Sequence, residues 1–196
     1  MEITTFFHAE FDEHETVAKA TREVLEKGFI ELVDVCAAAL RQGNKLVLFG
    51  NGGSASDAQH LAAELVVRYK VNRGPLAAIA LTTDSSTLTA GANDFGYDTV
   101  FARQVAALCK AGDVAIGITT SGVSENVVRA LQTARDMGVT PAALAGKGGG
   151  LLVGLADPLL VVPSDTTARI QEMHITLGQM LCDALEQQCA PPGPLP

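Results

Sequence analysis

Two hydroxyl-rich turns carry the first chemistry in this 196-residue chain. Gly50-Asn51-Gly52-Gly53-Ser54-Ala55-Ser56 follows the apolar run Lys45–Phe49, and Thr119-Thr120-Ser121-Gly122-Val123-Ser124 follows another apolar run. Glycines let a backbone approach a ligand closely, and a following helix offers free N–H groups at the positive end of its dipole. Serine and threonine hydroxyls add donors without charge. Each turn alone reads as an ordinary loop with a cap, and Ser124 suits the N-cap of a helix with Glu125 in its first turn. Two such turns in one chain favour a phosphorylated ligand. Neither is a P-loop, because no Lys-Ser/Thr follows the glycines. The glycine order is not GxGxxG either, so nucleotide and dinucleotide readings fall.

The second constellation is His60 and Glu64, four residues apart in a helical pattern. That spacing puts both on one helix face about 6 Å apart, which suits two ligands of one metal. By itself the pair is weak evidence, since a His–Glu pair at this spacing is more often a surface hydrogen bond. Its place, one and two turns into the helix after the first turn, favours a site.

The elements that must position these groups alternate. Short apolar runs at Lys45–Gly50, Ala77–Thr82, Asp113–Thr119, Thr140–Ala145 and Pro158–Val162 read as buried strands. Helical patterns at Ala58–Tyr69, Ser86–Gly91, Val100–Cys109, Ser124–Met137 and Thr167–Gln188 separate or follow them. This order predicts an α/β three-layer sandwich, a doubly wound, parallel, five-stranded sheet. In such sheets, ligands bind at the carboxyl ends of the strands. Ahead of the sheet, Val17, Ala20, Val24, Leu25, Leu32, Cys36 and Leu40 form one helical stripe, and Phe29, Val33 and Ala37 a second. A helix apolar on more than one side is buried or lies between subunits. An oligomer interface is the favoured reading. The expected organisation is one domain over residues 1–189, including an oligomerisation helix at about 2–42, and a frayed Pro/Gly-rich tail over 190–196.

Composition narrows the classes. The chain has 14 Lys+Arg against 22 Asp+Glu, a net charge of −8, which argues against a nucleic-acid backbone binder. At 47% hydrophobic and 18% charged residues it is no disordered chain. No apolar run approaches the ~20 residues that span a membrane. The acidic start, with His8 and His14 expected in solvent, has no signal-peptide pattern. Cys36, Cys109, Cys182 and Cys189 show no CxxC spacing and read as reduced thiols. A soluble, cytoplasmic protein is expected.

The segments LFGNGGSASDAQHLAAELVVRY (48–69), LTTDSSTLTAGANDFGYD (81–98), GITTSGVSENVVRAL (117–131) and ARIQEMHITLG (168–178) together resemble the sugar isomerase (SIS) domain family, and within it the bacterial phosphoheptose isomerases. The resemblance covers nearly the whole chain. It implies conversion of D-sedoheptulose 7-phosphate to D-glycero-D-manno-heptose 7-phosphate through an enediol. That would be the first step of nucleotide-activated heptose biosynthesis, feeding a lipopolysaccharide core or another heptosylated glycan. It also implies a homotetramer and one zinc per subunit, with no nucleic-acid or membrane partner.

Carried over residue by residue, the resemblance puts Asn51, Gly52, Gly53 and Ser54 in a sugar-phosphate loop and Asn93 and Asp94 on the substrate. Thr119, Thr120, Ser121 and Ser124 match the phosphate turn, and Asp165 or Thr166 lies near a further substrate contact. His60, Glu64 and Gln171 match three metal-ligand positions, with Gln171 also facing substrate. The fourth, normally histidine, is Gln179. Isomerisation needs a base at the carbon-bound proton and an acid for the oxygens. The resemblance implies Glu64 as base and position 179 as its partner. Glutamine can offer a carbonyl oxygen to a metal, yet it cannot exchange a proton near neutral pH. Either the chain belongs to a subfamily with altered chemistry, or one substitution disables it; in both cases the sugar phosphate still binds while turnover is reduced. Gln171 and Gln179 stand eight residues apart, roughly 12 Å along one helix, so they serve different roles or different subunits.

The remaining polar groups read as supporting. His174 could substitute for the missing histidine, but relatives that keep that histidine also carry His here, which points to structural service. Glu172 is expected to pair with Arg169 or another subunit. Arg68, Lys70 and Arg73 form a basic cluster, either a solvated helix end or an attractor for an anionic substrate. The rival from another class is a non-catalytic SIS-domain protein resembling the replication-initiator-associating protein. Loss of histidine at 179 fits it, and retention of His60, Glu64, Gln171 and the NDFG segment argues against it.

Overall fold

The β-branched and aliphatic runs form a parallel sheet of strands β1 (Leu46–Gly50), β2 (Ala78–Ala80), β3 (Val114–Thr119), β4 (Thr140–Ala145) and β5 (Leu159–Val161). Their order is β2-β1-β3-β4-β5, and every neighbouring pair is parallel. This computed structural model describes residues 1–189; the expected tail over 190–196 lies outside them. Alternate side chains of the central strands enter two separate cores. Leu46, Leu48, Val114, Ile116, Ile118 and Leu144 pack under α1 (Ile3–Arg41), α2 (Gly53–Val66) and α6 (Thr167–Cys189). Val47, Phe49, Ala115, Ala143 and Ala145 pack under α4 (Val100–Leu108) and α5 (Glu125–Asp136). The three layers expected from the alternation are therefore present.

The boundaries differ where glycine and pairing decide. Helix α2 starts at Gly53, not Ala58, because Gly52 takes the reversal at φ 57° and frees the next residues to be helical. It also stops at Val66 rather than Tyr69. Helix α3 (Ser85–Phe95) runs past Gly91, so Asn93 and Asp94 sit on its last turn. The edge strands β2 and β5 are three residues each, shorter than expected, because only one side of each has a partner. A 3₁₀ segment over Lys147–Leu152, with Gly148, Gly149 and Gly150 all at positive φ, has no counterpart in the sequence reading.

Helix α1 is 39 residues long, about 58 Å, and packs against α6. Val17, Leu25, Leu32, Val33, Cys36 and Ala37 are buried, while Phe6, Phe7, Phe11, Val24 and Ile30 stay exposed. The buried stripe belongs to the intrachain core, and the exposed side chains lie outside that core. Among the described residues no helix is long and apolar enough to cross a membrane.

Just ahead of β3, buried Asp113 accepts the backbone N–H of Lys45 at 3.0 Å and of Lys110 at 2.9 Å, and pairs with the Lys45 ammonium. Burial alone would raise its pKa, but these donors hold the carboxyl below the usual carboxylate range. A depressed folded pKa contributes stability above the unfolded value and loses it as pH falls through the folded one. Asp113→Ala is expected to cost about 3 kcal/mol at neutral pH, because it strands three donors. Urea unfolding should show the gap to the unaltered protein narrowing below about pH 4.

Candidate functional site

The sheet order reverses between β1 and β3, and both hydroxyl-rich turns leave from the carboxyl ends of those two strands. Helices α2 and α5 start there without a side-chain cap: Gly52 has none to offer, and the Ser124 hydroxyl bonds the Thr119 hydroxyl at 3.0 Å instead. Two helix N-termini without a capping side chain thus lie at the switch point, and on α2 the N–H groups of Ser54, Ala55 and Ser56 turn back to the Asn51 and Gly52 carbonyls. Ser54 is buried in the first turn of α2, and Thr120, Ser121 and Ser124 are half-buried around the second turn. The second turn is braced from behind. Gly122 sits at φ 68°, its carbonyl accepts Leu151 N–H at 2.9 Å, and a Cβ there would fall 2.2 Å from the Gly149 carbonyl oxygen. The glycine run at 148–150 is what lets the turn lie so close, a role the sequence reading missed.

Asn51 and Asn126 lock the two turns together. Each amide donates to the other at 2.9 Å, and the Tyr97 hydroxyl donates to Asn51 Oδ1 at 3.0 Å. Asn126 is buried, so this reciprocal pair is shielded from water. Neither Asn126 nor Tyr97 was expected from the sequence, although both lie within the segments SENVVRAL and NDFGYD. Asn93 and Asp94, exposed on α3, bond each other at 2.8 Å just before Tyr97.

Helices α2 and α6 run side by side in the same direction. The Gln171 amide stands against Gly53, where a Cβ would come within 2.7 Å of its Nε2. Two turns on, Gln179 Nε2 and His60 Nε2 stand 3.5 Å apart, and His60 Nε2 lies 3.5 Å from Glu64 Oε1. Between them Leu61 fills the space that Gly178 leaves open, since a Cβ at 178 would meet its Cδ1 at 2.5 Å. His60, Glu64 and Gln179 therefore share one end of the helix pair, and Gln171 stands at the other, beside Gly53 and apart from the metal-ligand set it was expected to join. Asp57, one turn before His60, is half-buried; burial raises its pKa while His60 counteracts.

Donors bound to one tetrahedral zinc at about 2.1 Å stand about 3.4 Å apart, close to both separations around His60. The amide of Gln179 presents oxygen instead of nitrogen after a flip. His60 and Glu64 supply two strong donors, and Gln179 one neutral oxygen of a kind zinc binds less well. Among the described residues no three His, Cys, Asp or Glu side chains cluster around a metal-sized space. The set fits a zinc ion held less firmly than a second histidine would hold it.

His174 does the structural service expected of it, while other polar groups differ from expectation. His174 is fully buried, its Nε2 bonds the Ala145 carbonyl at 3.0 Å, and burial pushes its pKa down to about 4 against that bond. It supports β4 and lies away from Gln179's partners. His14 is not a free solvent group: its Nδ1 lies 2.8 Å from Glu172, which also holds Arg169 at 2.8 Å. The basic cluster is no open patch, because Arg73 is buried in an ion pair and Lys70 pairs with Asp183. Thr166 donates to Glu13 at 2.7 Å, and Asp165 is exposed beside it.

A model of the SIS domain matches residues 11–146. A phosphoheptose isomerase of Paramagnetospirillum magneticum is 58% identical over 191 residues, covering 97% of this chain and 100% of that one. Among solved structures, phosphoheptose isomerase GmhA from Neisseria gonorrhoeae aligns with a TM-score of 0.89 at 40% identity, over 94% of this chain and 99% of the other. A phosphoheptose isomerase from Francisella tularensis aligns at 0.92 and 36% identity, over 95% and 100%.

Two substitutions test the site. Gly53→Ala meets only the flexible end of Gln171, so unfolding free energy should stay within about 1 kcal/mol. Displacing one hydrogen-bonding group from the ligand should weaken sugar-phosphate binding about tenfold by calorimetry. Asn126→Ala orphans the Asn51 amide and should cost about 1–3 kcal/mol in denaturant unfolding.

Proposed function

The chain belongs to the SIS domain family, in its phosphoheptose isomerase branch, and from that premise we propose that it converts D-sedoheptulose 7-phosphate to D-glycero-D-manno-heptose 7-phosphate. It is an aldose–ketose isomerase by this relationship. The observation that carries the reading is the pairing of two uncapped helix N-termini with the His60–Glu64–Gln179 cluster at the far end of α2. One end suits a phosphate and the other the carbonyl carbons.

The phosphate is held by the first-turn N–H groups of α2 and α5 and by hydroxyls of Ser54, Thr119, Thr120, Ser121 and Ser124. Asn51, held by Asn126 and Tyr97, keeps Gly52 and Gly53 in place for the approach. Asn93, Asp94 and Gln171 offer polar groups to the sugar chain. Glu64 takes the proton from one carbon and returns it to its neighbour, passing through the enediol. His60, Glu64 and Gln179 would hold one zinc ion per subunit, which when bound supplies a Lewis acid to the carbonyl oxygen. Gln179 has no titrating proton, so transfer to and from the oxygens lacks its partner and turnover is impaired.

A homotetramer is the proposed assembly. Exposed Phe6, Phe7 and Phe11 on α1, and the apolar groove between α1 and α6 lined by Leu25, Phe29, Met173, Leu177 and Met180, support it. Four free thiols support a reducing, cytoplasmic setting, and the product would enter heptose activation for lipopolysaccharide or another glycan. Gln179 also favours a second reading, a non-catalytic SIS-domain binding protein.

The test is turnover of sedoheptulose 7-phosphate with added zinc, by the unaltered protein and Gln179→His side by side. Restoring an acid–base group should raise kcat by about 100-fold or more. Full activity without the substitution would overturn the role of position 179. Silence from both, with no bound metal, would favour the binding protein.

A further inference from the structure

Arg73 and Glu186 are buried, 6% and 4% exposed, and joined by Arg73 Nε to Glu186 Oε2 at 2.9 Å. The rest of the guanidinium turns back onto α2. Its Nη2 donates to the carbonyl of Glu64 itself at 2.8 Å, and its Nη1 to those of Leu65 at 2.8 Å and Gly74 at 3.0 Å. Two of these are end carbonyls of a helix, which have no partner within it. Glu186 in turn accepts the N–H groups of Tyr69 and Lys70 at 2.8 Å and Val71 at 3.0 Å. It lies seven residues after Gln179 on α6, two turns on and on the same face.

We propose that the Arg73–Glu186 pair is a positioning device for the reaction, tying the backbone of Glu64 to the helix that carries Gln179. This rests on the reading of Glu64 as the base. Without the fork, the end of α2 is free to shift, and the Glu64 carboxylate with it, relative to His60 and Gln179. A planar guanidinium serves three carbonyls and a carboxylate at once, which an ammonium cannot do. The neighbouring pair Lys70–Asp183 joins the same loop to the same helix at the surface and touches no α2 carbonyl, so it provides the contrast.

The experiment compares Glu186→Gln, Arg73→Lys and Asp183→Asn in the full chain. The first readout is the ring ¹⁵N resonances of His60 in the resting protein, which report the Glu64 carboxylate beside it. The second is kcat and KM, in whichever of the unaltered and Gln179→His backgrounds turns over. Glu186→Gln and Arg73→Lys should move the His60 signals and lower kcat about tenfold with KM little changed, because the phosphate turns lie at the other end of α2. Asp183→Asn should do neither. Unmoved His60 signals in the first two variants, or equal movement in Asp183→Asn, would overturn the proposal. If Glu186→Gln does not fold, Arg73→Lys, which keeps the buried charge, decides alone. A chain that turns over in neither background sinks the isomerase reading, while the His60 signals still decide this one.

Discussion

The close approach of α2 and α6 at Gly178 and Leu61 is the constraint on which the rest depends. A side chain at 178 would overlap Leu61, so the helices meet there because one residue has no Cβ. Leu61 directly follows His60 and Gly178 directly precedes Gln179, so that contact brings those two groups to 3.5 Å. The parallel run of the two helices then carries Gln171 to Gly53 at the opposite end. Dense packing makes such a register discrete rather than adjustable.

Around that contact, the fold divides its polar groups by burial. At the carboxyl ends of β1 and β3, the helix N-termini carry no side-chain cap, and the Thr119 and Ser124 hydroxyls bond each other. At the ends of strands and helices away from the crevice, charges are satisfied completely. Asp113 collects donors at the foot of β3, and Glu186 collects four at the end of α2. Low dielectric makes an unpaired buried group costly, so such networks hold their elements in one arrangement.

Helix α1 plays a different part. Its second half completes the core beneath the sheet, while its first half carries Phe6, Phe7 and Phe11 into solvent and meets the start of α6 through charged groups. Glu10, His14, Glu172 and Arg169 connect it to the turn of α6 that bears Gln171. Any partner that covers the exposed aromatics thus abuts residues next to the crevice.

Strand and helix order, the parallel sheet and both hydroxyl-rich turns could be read from local pattern, because period and glycine placement are properties of neighbouring residues. The start of α2 could not, since Gly52 decides it by a positive φ that composition does not announce. Arg73 looked like an accessible group, and its burial depends on Glu186, more than 100 residues away, just as the structural service expected of His174 depends on Ala145, 29 residues earlier. Asn126 and Tyr97 joined the site for the same reason: their partner Asn51 lies 75 and 46 residues earlier. The identity of the chemical groups, including glutamine at position 179, is set by the chain alone. Which of them stand within reach of one another is set by packing, because side-chain reach is a few ångströms and only the folded layers bring distant segments that close.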